Sequence, residues 1–292
     1  MLMRSKLFVP ASRPELFAKA MASQADVVSF DLEDAVEPAS KERARAALAA
    51  FFADTPGWQG RGKGIVVRVN AVDTPHFDAD LAVAVCTGVD AINLPMLDDP
   101  EAVRHAVAAI EKCASERDLE RPIGILANIE SPRGLRRAFE IASAHPRVIG
   151  LQIGYGDLLA PLGIAQGEPA AVQAVRFAVR LAAGEAGVAA YDGAYVDVAN
   201  PDGYLADAQA ARRLGFAGKS CIHPSQIALA NQAFRPTDAE IAHALKVVEA
   251  TRASLSNGMG AFLVDGQLVD GPFIAHATQT VAAAERLGLL PA

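Results

Sequence analysis

Eight short runs of aliphatic and β-branched residues recur along the chain, each followed by a loop and then a longer helical pattern. The runs are Lys6–Val9, Val27–Leu32, Ile65–Val69, Ala91–Leu94, Ile123–Ile129, Val148–Gly154, Ala189–Asp192 and Gly218–Ile222. Several, among them VVSF, GIVVRV and IGILANI, are nearly continuous in apolar residues, as parallel strands covered on both faces must be. Eight strand–helix units in 292 residues predict an α/β TIM (β/α)₈ barrel, with a doubly wound open sheet as the rival. Between the runs, Ser131-Pro132 is an N-cap followed by proline at the first helical position, and Leu135, Ala138, Phe139 and Ala142 form an apolar stripe.

The chain continues past the eighth run. Thr237 and Glu240 form a T-x-x-E capping box that opens a helix reaching about Leu255. Asp265-Gly266 then separates two apolar runs, a strong hairpin signal, and a last helix follows Pro272. Residues 1–230 are thus expected to be the barrel. Residues 231–292 are expected to be a helix–hairpin–helix extension packed on the barrel mouth or on a neighbouring subunit. The loosest stretch is Gly57–Gly64, and no domain linker is visible.

Hydrophobic residues make up 51% and charged residues 21%, the balance of a folded globular chain. A net charge of −7 argues against nucleic acid as a partner, but leaves room for a small anionic substrate held by a few local cations. Cys86, Cys113 and Cys221 are odd in number and lack CxxC spacing, so neither a disulfide framework nor a zinc site is indicated. The first ten residues lack the apolar stretch of a signal peptide, and no run is long enough to span a bilayer. These points predict a cytoplasmic protein with no membrane partner.

In a barrel of this kind chemistry sits where the strands end. Those ends carry Asp31-Leu32-Glu33-Asp34, Arg68-Val69-Asn70, Leu94-Pro95-Met96, Glu130-Ser131, Gly154-Tyr155-Gly156-Asp157, Tyr191-Asp192 and Cys221-Ile222-His223. Acids and one arginine therefore gather at a single rim. Glu130 is either a partner for the dipole of the helix that starts beside it or a metal ligand paired with Asp157 from the next strand. Neighbouring strand ends lie about 5 Å apart, so two such carboxylates can share one hard cation, and oxygen-only ligation suits Mg²⁺. Arg68, inside an apolar strand, either pairs with the acids of the second strand or holds a substrate carboxylate or developing enolate. Glu33 and Asp34 are candidate ligands, outer groups around a metal-bound water, or partners of Arg68; the outer role is preferred. His223 reads as a packing or hydrogen-bonding residue rather than a base. GRGKG precedes a strand and GYGDLLAPLG lacks the third glycine of the dinucleotide fingerprint, having Leu159 there, so neither is a phosphate or dinucleotide loop.

The strings RSKLFVPASRPE, DLEDAVEPASKERAR, RVN, INLPM, IESPRG, GYGDL, GFAGKSCIHPSQI and LVDGPFI stand in an order that resembles the citrate lyase beta-subunit-like family, which includes malyl-CoA and citramalyl-CoA lyases. The resemblance spans about Arg4 to Phe273. It implies a TIM barrel, Mg²⁺ held by Glu130 and Asp157, and an acyl-CoA or acyl-carrier thioester substrate contacted by Arg68 and Glu130. It further implies a homo-oligomer, trimeric or hexameric, in which Asp270 of the tail completes a neighbouring subunit's site as acid/base. The reaction expected is retro-Claisen cleavage of a 3-hydroxyacyl thioester. Arg4, Lys6, Arg13 and Lys19 are candidate contacts for the anionic carrier. The chain departs from the family where Met96 replaces the usual lysine, Ala11 the usual glycine, and Tyr155-Gly156 the usual Ser-Glu. Competing readings are a citrate lyase beta subunit working on a carrier, an aldolase for free 2-oxo acids, and a binding protein without activity.

Overall fold

The structure is a computed structural model that describes residues 1–54, 62–255 and 261–290. Of the loose Gly57–Gly64 stretch, residues 57–61 lie outside the described residues. The chain divides into two compact units, Met1–Phe234 and Arg235–Ala292.

In the first unit eight parallel strands pair in sequence order. They are β1 (Ser5–Pro10), β2 (Val27–Asp31), β3 (Gly64–Arg68), β4 (Ala91–Leu94), β5 (Gly124–Ile129), β6 (Val148–Ile153), β7 (Ala189–Asp192) and β8 (Gly218–Cys221). Pairing of β8 with β1 closes the barrel and excludes the open sheet. The α-helices around it are α1 (Phe17–Ala22), α2 (Lys41–Asp54), α3 (Phe77–Ala84), α4 (Pro100–Ser115), α5 (Pro132–Arg136), α6 (Ala138–Ala142), α7 (Tyr155–Leu159), α8 (Pro169–Glu185), α9 (Pro201–Arg213) and α10 (Ser225–Ala233). Leu32 and Val69, expected inside strands, fall just beyond β2 and β3. Their N–H groups still donate to Arg68 and Asn93 carbonyls, at 2.9 and 3.3 Å, so pairing fades rather than stops there.

Helix starts follow the local chemistry. Asp99, Ser131 and Asn200 each accept the N–H three residues on, and each precedes a proline at the first helical position. After Ser131 the helix breaks at Arg137 (φ −110°, ψ 18°), which shifts the helical phase. Ala138, Ile141 and Ala142 are buried in consequence, and the expected stripe member Phe139 is exposed.

Two apolar layers hold the barrel. Outward-facing Val28, Phe30, Val67, Ile92, Ile125, Ala127, Leu151 and Cys221 pack under the helices. There Phe17, Phe30, Phe51 and Phe52 meet at ring separations of 4.9–6.0 Å. Each such buried aromatic or aliphatic side chain contributes about 1.5–3 kcal/mol. Inward-facing Val27, Val66, Ala91, Leu126 and Tyr191 plug the end where the strands begin. Alternation along each strand then turns Ser29 and Asp31, Arg68, Asn93, Asn128, Gln152 and Ser220 into the interior. The barrel therefore grades from an apolar floor to a polar mouth.

The second unit holds α11 (Asp238–Leu255), the hairpin β9 (Phe262–Val264) and β10 (Gln267–Val269), and α12 (Gly271–Arg286). The capping box is reciprocal: Thr237 N–H donates to Glu240 Oε2 at 2.7 Å, and Glu240 N–H to Thr237 Oγ1 at 3.2 Å. Asp265 and Gly266 both take positive φ, 49° and 79°, the two-residue turn that Asp-Gly favours. Ala244, Val247, Val264, Val269 and Ala277 form this unit's own core. Among the described residues no helix is long and apolar enough to cross a membrane.

Candidate active site

Strand register assembles the mouth. Asp31 and Arg68 are directly paired positions on β2 and β3, and both point inward. The guanidinium donates through Nε to Asp31 Oδ1 at 2.8 Å and through Nη2 to Asp31 Oδ2 at 2.6 Å. Its Nη1 lies 2.7 Å from Glu33 Oε2, in an ion pair off the hydrogen-bonding direction, and donates to Asp34 Oδ2 at 3.4 Å. Phe8 lies beneath, its ring centroid 5.2 Å from the guanidinium carbon. The acids of β2 and its following loop therefore embrace Arg68, and their sum of charge keeps it protonated well above the ordinary arginine range.

Glu130 follows β5 directly and is 3% exposed. Its Oε1 accepts the Met96 N–H at 2.6 Å and its Oε2 the Asn128 side-chain amide at 3.3 Å. Met96 holds φ at +50°, uncommon for a side chain of that size, and its own side chain is half exposed. Gly154 makes room for the carboxylate: a Cβ there would lie 2.2 Å from Glu130 Oε2. Asp157 stands in the first turn of α7 and is close enough to Glu130 for the two charges to repel.

Asp31, Asp34, Arg68, Asn128, Glu130 and Asp157 line one cavity of about 510 Å³. With Glu33, five carboxyl groups surround a single guanidinium. Burial raises the pKa of Glu130 above the ordinary carboxylate range, and Asp157 and Asp34 add to it. Burial and Asp34 raise that of Asp157. Burial, opposed by Arg68 but supported by the neighbouring acids, pushes Glu33 to about 8. This excess of negative charge, offered through carboxylate oxygens alone, is the environment a hard divalent cation relieves. Among the described residues no group of three or more His, Cys, Asp or Glu side chains is placed to close around an ion. Two acids with positions left for ligand and water oxygens is the pattern that suits Mg²⁺.

A larger cavity, about 600 Å³, opens beside this one between α8 and α9. Arg176 and Asp207 of its lining are already committed to a buried network. Arg176 binds Asp192 and Asp207 at 2.7 Å each, the buried Lys219 joins both acids, and Tyr155 donates to Asp192 at 2.7 Å. That network braces the wall, and the unspent acids of the mouth mark the candidate site.

The structure thus brings together Arg68, Glu130, Asp157, Glu33 and Asp34, but assigns Glu33 and Asp34 to the guanidinium. Asp31, its closest partner, is one of the second-strand acids offered as a pair for Arg68, and its even spacing from Val27 and Ser29 turns it inward. Lys6 and Arg4 are misplaced by the expectation of carrier contacts. Lys6 is buried inside the barrel, and Arg4 is bound to Asp26 where the strands begin, at the end opposite the mouth. Arg13 pairs with Glu15, and Lys19 lies exposed on α1. His223 is exposed and bonds Ser225. Asp270 stands at the N-cap of α12 with no side-chain capping bond, and its Oδ1 is buried without a hydrogen-bond partner among the described residues.

A model of the HpcH/HpaI aldolase/citrate lyase family matches residues 4–224. Citrate lyase subunit beta of Escherichia coli K12 is 36% identical over 291 residues, covering 98% of this chain and 94% of that one. L-malyl-CoA/beta-methylmalyl-CoA lyase of Cereibacter sphaeroides is 33% identical over 308 residues, covering 97% and 95%. Among solved structures, protein CitE of Mycobacterium tuberculosis in complex with magnesium, acetoacetate and coenzyme A superposes with a TM-score of 0.77 at 36% identity. It covers 96% of this chain and 97% of that one.

Proposed function

The chain belongs to the HpcH/HpaI aldolase/citrate lyase family, and from that membership and its mouth geometry we propose that it is a Mg²⁺-dependent carbon–carbon lyase for a 3-hydroxyacyl thioester such as malyl-CoA or citramalyl-CoA. One observation carries this reading: a buried carboxylate, Glu130, anchored on two donors and crowded by Asp157 in a cavity with more acids than bases. Relatives bearing lyase names, and a solved one holding magnesium and coenzyme A, support the same chemistry.

Glu130 and Asp157 would hold the ion. Bound there, Mg²⁺ supplies Lewis acidity towards the carboxylate and neighbouring hydroxyl of the substrate. In the reaction a base takes the hydroxyl proton, the bond between the hydroxyl-bearing carbon and the thioester's α-carbon breaks, and a 2-oxo acid departs. The electron pair passes into the thioester enolate. Arg68, locked in orientation by Asp31, steadies that negative charge. Asp270 then protonates the α-carbon, or removes that proton in the condensing direction. It is suited to this because its carboxylate is not spent on capping α12. We further propose that it serves a neighbouring copy in a trimer or hexamer, and that the protein works in a reducing compartment such as the cytoplasm, where its three thiols stay free.

Release of acetyl-CoA from malyl-CoA or citramalyl-CoA, measured with Mg²⁺ and again with EDTA, tests the proposal. Cleavage that requires the ion is expected, and cleavage indifferent to chelation would overturn the metal's role. The likeness to citrate lyase subunit beta favours a second reading, a subunit that cleaves a carrier-bound citryl thioester. Inactivity on CoA esters together with co-purification of partner subunits would select it.

A further inference from the structure

We infer that Lys6, Asn93 and Asn128 form a polar strut through the barrel interior that positions the Glu130 carboxylate, so that ion affinity depends on a lysine that never touches the ion. The inference rests on the proposed reading of Glu130 as an ion ligand.

Lys6 lies on β1, faces inward and is 2% exposed. It forms no ion pair with a carboxylate among the described residues. Its Nζ donates to Asn93 Oδ1 on β4 at 2.8 Å and sits 4.3 Å from the centre of the Phe8 ring. Burying an ammonium group here is unfavourable: desolvation and the nearby Arg68 oppose its charge, and Asp31 and Glu130 act the other way without pairing with it. Packing therefore does not explain the lysine. The direction of the hydrogen bonds does.

An ammonium group only donates, so Asn93 must turn its oxygen towards Lys6. The Leu126 carbonyl, which only accepts, receives the Asn93 amide nitrogen at 3.1 Å and enforces the same orientation. That nitrogen also donates to Asn128 Oδ1 at 2.6 Å. With its oxygen so engaged, Asn128 has only its nitrogen to present to Glu130 Oε2, at 3.3 Å. Met96 N–H holds the other oxygen. Both carboxylate oxygens are thus anchored from the protein side, which leaves their remaining lone pairs for the cavity. Asn93 and Asn128 are 0% and 1% exposed, so the links between them run through the barrel interior. Remove the strut, and the Asn128 amide is free to turn its oxygen against the carboxylate.

The test uses the full-length protein and its Lys6→Met, Asn93→Leu and Asn128→Leu variants, with Glu130→Gln as a control. Mg²⁺ affinity is measured by calorimetry, and Mn²⁺ affinity by electron paramagnetic resonance. Thermal unfolding is followed in EDTA. Loss of groups that orient a metal ligand weakens binding about 10–100-fold, so Asn128→Leu and Asn93→Leu should fall in that range and Lys6→Met near its lower end. In EDTA Lys6→Met should remain folded, and its kcat should recover at saturating Mg²⁺. Ion binding weakened out of proportion to any change in melting temperature is a combination that a merely structural lysine does not produce. If Lys6→Met and Asn93→Leu bind Mg²⁺ as wild type does while Glu130→Gln does not, the strut is refuted and the ligand reading stands. If ion affinity merely tracks melting temperature across the variants, the strut is also refuted. If wild type and Glu130→Gln bind Mg²⁺ equally, the ligand reading itself fails and takes the strut with it.

Discussion

Gly154 is the most direct probe of whether the Glu130 carboxylate has to stay where it is. Its backbone (φ −108°, ψ 91°) is open to any residue, so alanine brings no conformational strain. The conflict is purely one of space. An added Cβ would stand 2.2 Å from Glu130 Oε2, 3.2 Å from Cδ and 2.7 Å from Cβ. A swing of the carboxylate relieves the first two contacts but not the third, so the whole side chain must move. Overpacking of this kind costs about 1–3 kcal/mol. Movement also breaks the 2.6 Å bond from Met96 N–H, a charge-assisted link of about 1.5–3 kcal/mol. If that second amount is the energy that holds the ligand in place, Mg²⁺ affinity falls about 10–100-fold, since about 1.4 kcal/mol corresponds to tenfold. Calorimetric titration of Gly154→Ala with Mg²⁺ measures this directly. Gly156→Ala is the matched control, because a Cβ there meets nothing within 4 Å. It should bind the ion as wild type does. A Gly154→Ala protein with wild-type Mg²⁺ affinity would refute the placement of Glu130 as a ligand.

Arg68→Lys keeps one charge but loses the two-pronged grip on Asp31, so turnover should fall about 10²–10³-fold at unchanged fold, read as kcat with saturating Mg²⁺. Arg68→Ala additionally strands Asp31 in the interior, and should unfold about 3–5 kcal/mol more easily in urea; equal stability would mean that the pair is not buried as described. Glu33 sets a pH dependence. Its pKa is raised by burial from 4.5 to about 8, so the folded state holds the proton more tightly and stability from this group is complete below pH 4.5 and lost as pH rises through 8. In EDTA, wild-type unfolding free energy should therefore decline by about 2–4 kcal/mol more than that of Glu33→Gln over this window, and parallel curves would dismiss the effect. Asp270→Asn should retain Mg²⁺ binding yet lose exchange of the acyl α-proton with deuterated solvent, and wild-type exchange rates would remove Asp270 from the mechanism.

The barrel was readable from sequence because eight apolar runs repeat with one period, and such a repeat has few ways to bury both faces of each strand. The rim was readable too, since the ends of those runs carry the acids. What the chain did not disclose is how the rim is divided among its partners. Glu33 and Asp34 read as groups around an ion, yet Arg68 lies across the barrel wall from them in register with Asp31 and takes them first. A register pairing joins residues far apart in sequence, and no local pattern announces it. Lys6 shows the same blindness. Beside Arg4 at a strand start it reads as a surface cation, but strand alternation turns Lys6 into the barrel, while Arg4 stays at the opposite end. Gly154 is the deepest case. Its role is to be absent where Glu130 needs room, and absence has no motif. Strand parity, applied to polar as strictly as to apolar residues, would have found Lys6, Asn93 and Asn128. Each sits an even number of places from an inward apolar residue of its own strand or shares an inward layer by register, and a polar residue at such a position has to be paired or put to use.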